Sequence, residues 1–258
     1  MKLAISNIAW LPEEAQSAYR LLEKWGARGL EIAPSLAFSG ESDPFAPPKE
    51  TVQAFKSELA AHNISLVSMQ SLLYGAVDTQ LFGEIDARAR FETAIKRAIQ
   101  LAETLEIGNL VFGSPSNRSY PTTMSKDEAE NLALETIMPL ADFALKAGTT
   151  LAIEPNPAAY GTNFLTTVAD AAHFVGKANH PAIGLNFDIG ALLMNDENDV
   201  DALIASSGGR VAHVHFSEPQ LAPAPMHMDR ASEVVDATKR AGYDRWFSIE
   251  MKRSTENC

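Results

Sequence analysis

Gly148-Thr-Thr-Leu-Ala-Ile-Glu-Pro155 is the stretch on which the fold turns. The glycine stops a helix that Ser125 opens, with Glu128 at the capping-box position three residues on. Residues 150–154 then read as a short β-strand ending on a carboxylate. A long helix feeding directly into a short strand is the repeating unit of a parallel α/β fold.

The same alternation continues in both directions. Upstream, strands are predicted over 3–9, 29–33, 64–70 and 109–113, with helices over 13–25, 49–62, 86–105 and 125–146. Downstream, strands are predicted over 183–188, 210–216 and 246–250, with helices near 166–178, 200–205 and 229–241. Eight strands, the first seven each followed by a helix, predict an α/β (β/α)8 barrel, a single domain over residues 1–258. Only eight residues follow Glu250, so the eighth helix is expected to be short or absent. An open doubly wound sheet is the competing arrangement. It places a glycine-rich phosphate loop after its first strand, and Asn7-Ile-Ala-Trp10 is not one.

Composition narrows the function classes. The 258 residues are 46% hydrophobic, which suits a chain that buries a real core. A net charge of −12 argues against nucleic acid as a partner, because phosphates need clustered Lys and Arg. The single cysteine, Cys258, supports neither a disulfide framework nor a thiolate metal site. No apolar run is long enough for a membrane span and no targeting signature opens the chain, so a cytoplasmic protein is expected.

In barrels of this kind, chemistry sits where strands end and βα loops begin. The four late strands end on or near Glu154, Asp188, His215 and Glu250. Side chains alternate along a strand, so Glu154 shares a face with Ala152, Asp188 with Asn186, His215 with His213, and Glu250 with Ser248. All four can point into one mouth. A lone acid or histidine at a strand end is commonly a salt-bridged residue, but four in register on consecutive strands are not. Three carboxylates in one cavity repel each other unless a cation joins them. The set is hard and oxygen-rich, suiting Mn²⁺ first, with Mg²⁺, Co²⁺ or Zn²⁺ as further possibilities.

Four segments carry a resemblance: Leu151-Ala-Ile-Glu-Pro-Asn-Pro157, Asn186-Phe-Asp-Ile-Gly190, His213-Val-His-Phe-Ser-Glu-Pro219 and Ser248-Ile-Glu-Met-Lys252. They resemble the sugar phosphate isomerase/epimerase family, the xylose-isomerase-like TIM-barrel group that includes the ketose 3-epimerases and, more distantly, endonuclease IV. The opening segment and Val111-Phe-Gly-Ser-Pro115 look like the same family. The resemblance implies that Glu154, Asp188, His215 and Glu250 hold one divalent metal ion. It also implies that Glu154 and Glu250 are the acid/base pair, one on each face of a metal-stabilised enediolate. The expected activity is isomerisation or epimerisation of a small sugar or sugar derivative. A sugar dehydratase or lyase using the same site is the alternative. An endonuclease IV-type nuclease needs further histidines and a basic groove, and a non-catalytic binding protein has no reason to keep the ligand set.

Three positions depart from the ketose 3-epimerases. Tyr160 stands where that subgroup has a glutamate, Ala191 where it has a histidine, and Leu221 where it has an arginine. Among other candidates, Glu31 either binds a sugar hydroxyl or forms a structural salt bridge. Lys252 either neutralises a developing oxyanion or is a solvated rim lysine. Arg118 either grips a phosphate or carboxylate or is an exposed loop arginine. His213 is expected one layer below the metal, hydrogen-bonded rather than ligating. His227 either reaches the site or lies on the surface, and Trp10, Phe112 and Tyr160 either wall a sugar face or pack. The missing helix would leave apolar wall uncovered, so a homo-oligomer is expected.

Overall fold

The computed structural model describes residues 1–254, so Cys258 lies outside the described residues. Eight short strands form: β1 (Lys2–Ser6), β2 (Gly29–Ile32), β3 (Ser65–Met69), β4 (Asn109–Phe112), β5 (Thr150–Ile153), β6 (Ile183–Asp188), β7 (Val211–Ser217) and β8 (Trp246–Glu250). They pair in chain order, all parallel, and β8 returns to β1 to close the barrel. The major helices are α1 (Ala15–Trp25), α3 (Lys49–Ala61), α4 (Ile85–Leu105), α5 (Lys126–Lys146), α6 (Val168–Ala178), α8 (Val200–Ser206) and α9 (Met228–Arg240). Two single-turn helices, α2 (Pro34–Ala37) and α7 (Ile189–Met194), complete the set.

Strands β6 and β8 coincide with the segments read from sequence, and the other elements differ at their ends by a few residues. Residues 7–9, expected to continue β1, form a 3-10 turn instead. The Ser6 hydroxyl accepts a hydrogen bond from Ile8 N and turns the chain out of the sheet. Neither α2 nor α7 is expected from periodicity, because one turn is too short to show it. Each is started by local chemistry: Pro34 at the first helical position, and the Asp188 carboxylate capping Ala191 N at 2.6 Å. Helix α5 has the predicted capping box between Ser125 and Glu128.

No helix follows β8 among the described residues. Arg253 N donates to Ile8 O at 3.2 Å, and the Arg253 guanidinium grips both Glu14 carboxylate oxygens at 2.8 and 2.9 Å. The outward residues of the other strands are sealed by helices: Leu110, Ile153, Leu185, Phe187 and Val214 are each 0% exposed. At the seam where an eighth helix would lie, Leu3, Ile5 and Ile249 are only partly buried.

The barrel interior is polar. Ser6, Glu31, Ser68, Asn186, His215 and Ser248, all wholly buried, occupy positions that bulky aliphatic side chains usually fill in such barrels. At the floor, the Trp246 ring fills the space left by Gly29, where a Cβ would lie 2.7 Å from it. No helix among the described residues is long and apolar enough to cross a membrane.

Candidate functional site

Barrel register brings the late-strand residues together. Asp188 pairs with His215 across β6 and β7, and Ser217 pairs with Glu250 across β7 and β8. His215 Nδ1 stands 3.1 Å from Glu154 Oε1, 3.3 Å from Glu250 Oε2 and 3.6 Å from Asp188 Oδ2. One donor atom from each of the four lies within 4.8 Å of the others. Neighbouring groups hold two of the three carboxylates. Glu154 accepts from Asn186 Nδ2 at 2.9 Å and from Asn156 Nδ2 at 3.1 Å. Asp188 accepts from Ser217 Oγ at 2.7 Å as well as from Ala191 N.

The opposite edge of the His215 ring meets Glu31. His215 Nε2 lies 3.0 Å from Glu31 Oε1, and His213 Nε2 lies 3.0 Å from Glu31 Oε2. Burial alone would push the Glu31 carboxyl up, but the two imidazoles hold it well below the usual carboxylate range. Burial opposes a charge on His215, yet Glu31, Glu250 and the other carboxylates raise its pKa well above that of a free imidazole. His213 lies low, because burial outweighs its pairing with Glu31. Glu250 is pushed up to about 7, by burial first and then by Glu154 and Asp188, against the pull of His215.

These features fit a divalent cation. Three carboxylates converge, and among the described residues no lysine or arginine forms an ion pair with any of them. Gly113 leaves room for the cluster: a Cβ there would lie 2.2 Å from Glu154 Oε2. With Glu31 bound at Nε2, His215 presents Nδ1 to the carboxylates, as a metal-binding histidine does. The donor set is three oxygens and one nitrogen, without sulfur.

The site opens into a cavity of about 650 Å³, lined by Glu154, Asp188, Glu250, Tyr160 and Lys252 among others. Glu31, His213 and Arg118 do not line it. Glu31 is 0% exposed beneath the histidines, so the structure places it in the salt-bridge role rather than against a sugar hydroxyl. Arg118 is also wholly buried, where neither the anion-gripping role nor an exposed loop would put it. Its guanidinium donates to Glu154 O at 2.7 Å and Phe112 O at 3.4 Å, clamping the ends of β4 and β5, and burial lowers its pKa to about 10. His227 pairs with Glu218 through an exposed side chain, Trp10 packs against Tyr19, and Phe112 against Phe91.

The supporting residues Asn156, Asn186 and Ser217 are absent from the sequence-based site. Each is two positions from a candidate ligand, Asn186 and Ser217 on the same strand face and Asn156 in the loop after β5, and for the first two that spacing is a signal that could have found them.

The sequence matches the family model described as the xylose isomerase-like TIM barrel over residues 19–257. No curated protein sequence matches. Solved structures do. The apo 3-keto-D-glucoside 4-epimerase of E. coli is similar at TM-score 0.74 and 15% identity, over 100% of this chain and 94% of that one. D-psicose 3-epimerase of Clostridium cellulolyticum with D-tagatose gives TM-score 0.76 and 17% identity, over 100% and 87%. The IolI protein with a bound zinc atom gives TM-score 0.71 and 17% identity, over 98% and 90%.

Proposed function

Since the chain belongs to the xylose isomerase-like TIM-barrel family, we propose that it is a divalent-metal-dependent isomerase or epimerase of a small sugar or sugar derivative. The observation that carries this reading is the convergence of Glu154, Asp188, His215 and Glu250 on one point at the cavity floor. When bound there, a divalent ion, Mn²⁺ by preference for this oxygen-rich set, polarises a substrate carbonyl and acidifies the neighbouring C–H.

We assign the proton steps to the two glutamates, Glu154 and Glu250. Asn186 and Asn156 hold the Glu154 carboxylate in place, and it takes the proton from carbon. Glu250, which lines the open cavity, relays a proton from solvent to the enediolate at the same or the adjacent carbon. Return to the same carbon is epimerisation and return to the neighbour is isomerisation. Asn186, Asn156 and Ser217 fix the carboxylates in position. The partly covered seam at Leu3, Ile5 and Ile249 supports assembly into a homo-oligomer.

Solvent exchange tests the chemistry directly. The Mn²⁺-loaded protein is incubated with a panel of ketoses and keto-glycosides in D₂O, and deuterium next to the carbonyl is read by NMR. Incorporation into at least one sugar is expected, with loss of more than about a hundredfold in Glu154→Gln and in Glu250→Gln. Exchange that survives both substitutions would remove the acid/base pair.

A further inference from the structure

The cavity is larger than a small sugar needs. A free hexose occupies roughly 180 Å³, about the share of six water molecules in the liquid, against about 650 Å³ here. Part of the lining comes from the loop after β3 and the loop after β4, beyond the carboxylates. Leu73, Tyr74 and Ala76 line one side, and Pro115 and Ser116 the other.

This outer chamber is built. The two loops are tied together by Leu81 N to Asn117 O at 2.8 Å, Asn117 Nδ2 to Thr79 O at 2.8 Å, and Gln80 Nε2 to Ser116 O at 3.0 Å. Each loop also holds a cavity-lining serine in the left-handed region, Ser71 at φ 58° and Ser114 at φ 49°. Non-glycine residues keep that conformation only where their surroundings enforce it. Tyr74 is 67% exposed and leaves its ring free at the chamber edge.

Charge decides what the chamber takes. Among the described residues, Lys252 is the only cationic side chain lining the cavity, against Glu154, Asp188, Glu218 and Glu250. A bound dication still leaves that lining net negative. Arg118 is wholly buried, does not line the cavity, and directs both terminal nitrogens to backbone carbonyls. A phosphate would have Lys252 alone to pair with, against four carboxylates and with no guanidinium facing it. An uncharged group with an apolar face has partners in Leu73, Tyr74 and Pro115.

We infer that the substrate is an uncharged sugar bearing a neutral, ring-sized substituent, with the sugar at the carboxylates and the substituent in the chamber beside Tyr74. The sugar end rests on the function proposed above, and the chamber end does not.

Binding to the Mg²⁺-loaded protein is measured by calorimetry or ligand-detected NMR with three probes: D-glucose, D-glucose 6-phosphate and phenyl β-D-glucopyranoside. The phenyl glucoside is expected to bind at least about tenfold tighter than either other probe, as burial of one ring allows. Ser116→Trp, which fills the chamber from an exposed position, should abolish that preference, and Tyr74→Ser should reduce it about threefold or more. Both variants should keep wild-type metal affinity. Equal binding of the three probes, tightest binding of the phosphate, or a preference that both variants retain would overturn the inference. Metal binding without the phenyl preference removes the chamber reading alone. A phenyl preference in a protein that binds no metal removes the proposed chemistry and leaves the chamber standing.

Discussion

The two halves of the barrel mouth are built from opposite materials. Across β5 to β8, the residues that point inward near the mouth are Glu154, Asp188, His215 and Glu250, held by Asn156, Asn186 and Ser217. Across β1 to β4 the corresponding face carries Ser6, Gln70 and Gly113, and its one acid, Glu31, is sunk beneath the mouth and matched to two histidines. The early half therefore brings space and neutral hydrogen-bonding groups, and the late half brings charge. Crowded acids need a cation, and a substrate needs room beside it. Placing the two on opposite arcs of one ring meets both needs without separating them.

The largest effects should come from the late half. Asp188→Ala and His215→Ala should each weaken Mn²⁺ binding by more than about a hundredfold, beyond the loss usual for residues that merely support a ligand. Calorimetry checks this, and a variant binding within threefold of wild type would show that the ion's seat is elsewhere. Sugar handling comes next. The loss of polar groups at Tyr160, Ala191 and Leu221 should leave little or no C3 epimerisation of free D-fructose or D-tagatose, as chromatography would show. Turnover near about 1 s⁻¹, ordinary for an enzyme on its own substrate, would mean those three positions matter less than argued.

Gly113 tests how far the halves depend on each other. It belongs to the early half, yet a methyl group there would displace the Glu154 carboxylate. Gly113→Ala should cost about 10- to 100-fold in metal affinity while the metal-free melting temperature changes little. Unchanged affinity would show that Glu154 can move freely.

The pH response should sharpen the contrast further. In the metal-free protein, Glu250 near 7 and a raised His215 bind protons that the unfolded chain releases at lower pH. Below about pH 6.5 the lowered His213 offsets this, so the folded state holds more protons from about pH 6.5 to 8, and its stability should fall as pH rises through that window. The lowered Glu31 acts only below the usual carboxylate range and does not offset this. Metal must displace the same protons, so its affinity should rise with pH over the same interval. Melting curves with and without Mn²⁺ should therefore diverge as pH increases, and parallel curves would contradict the charge assignment. The smallest effect should be at the seam. Light scattering should find a dimer or larger assembly, and Ile249→Lys should dissociate it with a stability change of about 1 kcal/mol. A wild-type monomer at micromolar concentration would remove the interface.

Much of the late half was legible in sequence because strand parity alone carries it. Once residues 183–188 and 246–250 read as strands, Asp188 and Glu250 had to share an interior with His215. The same rule, applied two residues either side within a strand, reaches Asn186 and Ser217, while Asn156 lies in the loop beyond β5 where it does not hold. Glu31 shows where the rule stops. Parity puts it inside the barrel, but strands in a sheared barrel are staggered, so a residue near one strand's end lies level with the middle of another. Arg118 was illegible for a different reason. A loop has no period, and nothing in Ser116-Asn-Arg-Ser119 reveals that the guanidinium turns back beneath β4 and β5.

The pairing of β8 with β1 has a further consequence, for the order in which the molecule comes into being. Translation delivers β1 first, and its second neighbour only after every other strand has emerged from the ribosome. Until then one edge of β1, with Leu3 and Ile5, waits unpaired, and the acidic ring lacks Glu250. A nascent chain therefore cannot assemble the full ligand set. Convergence of the four groups and completion of the sheet become a single late event in the making of the chain.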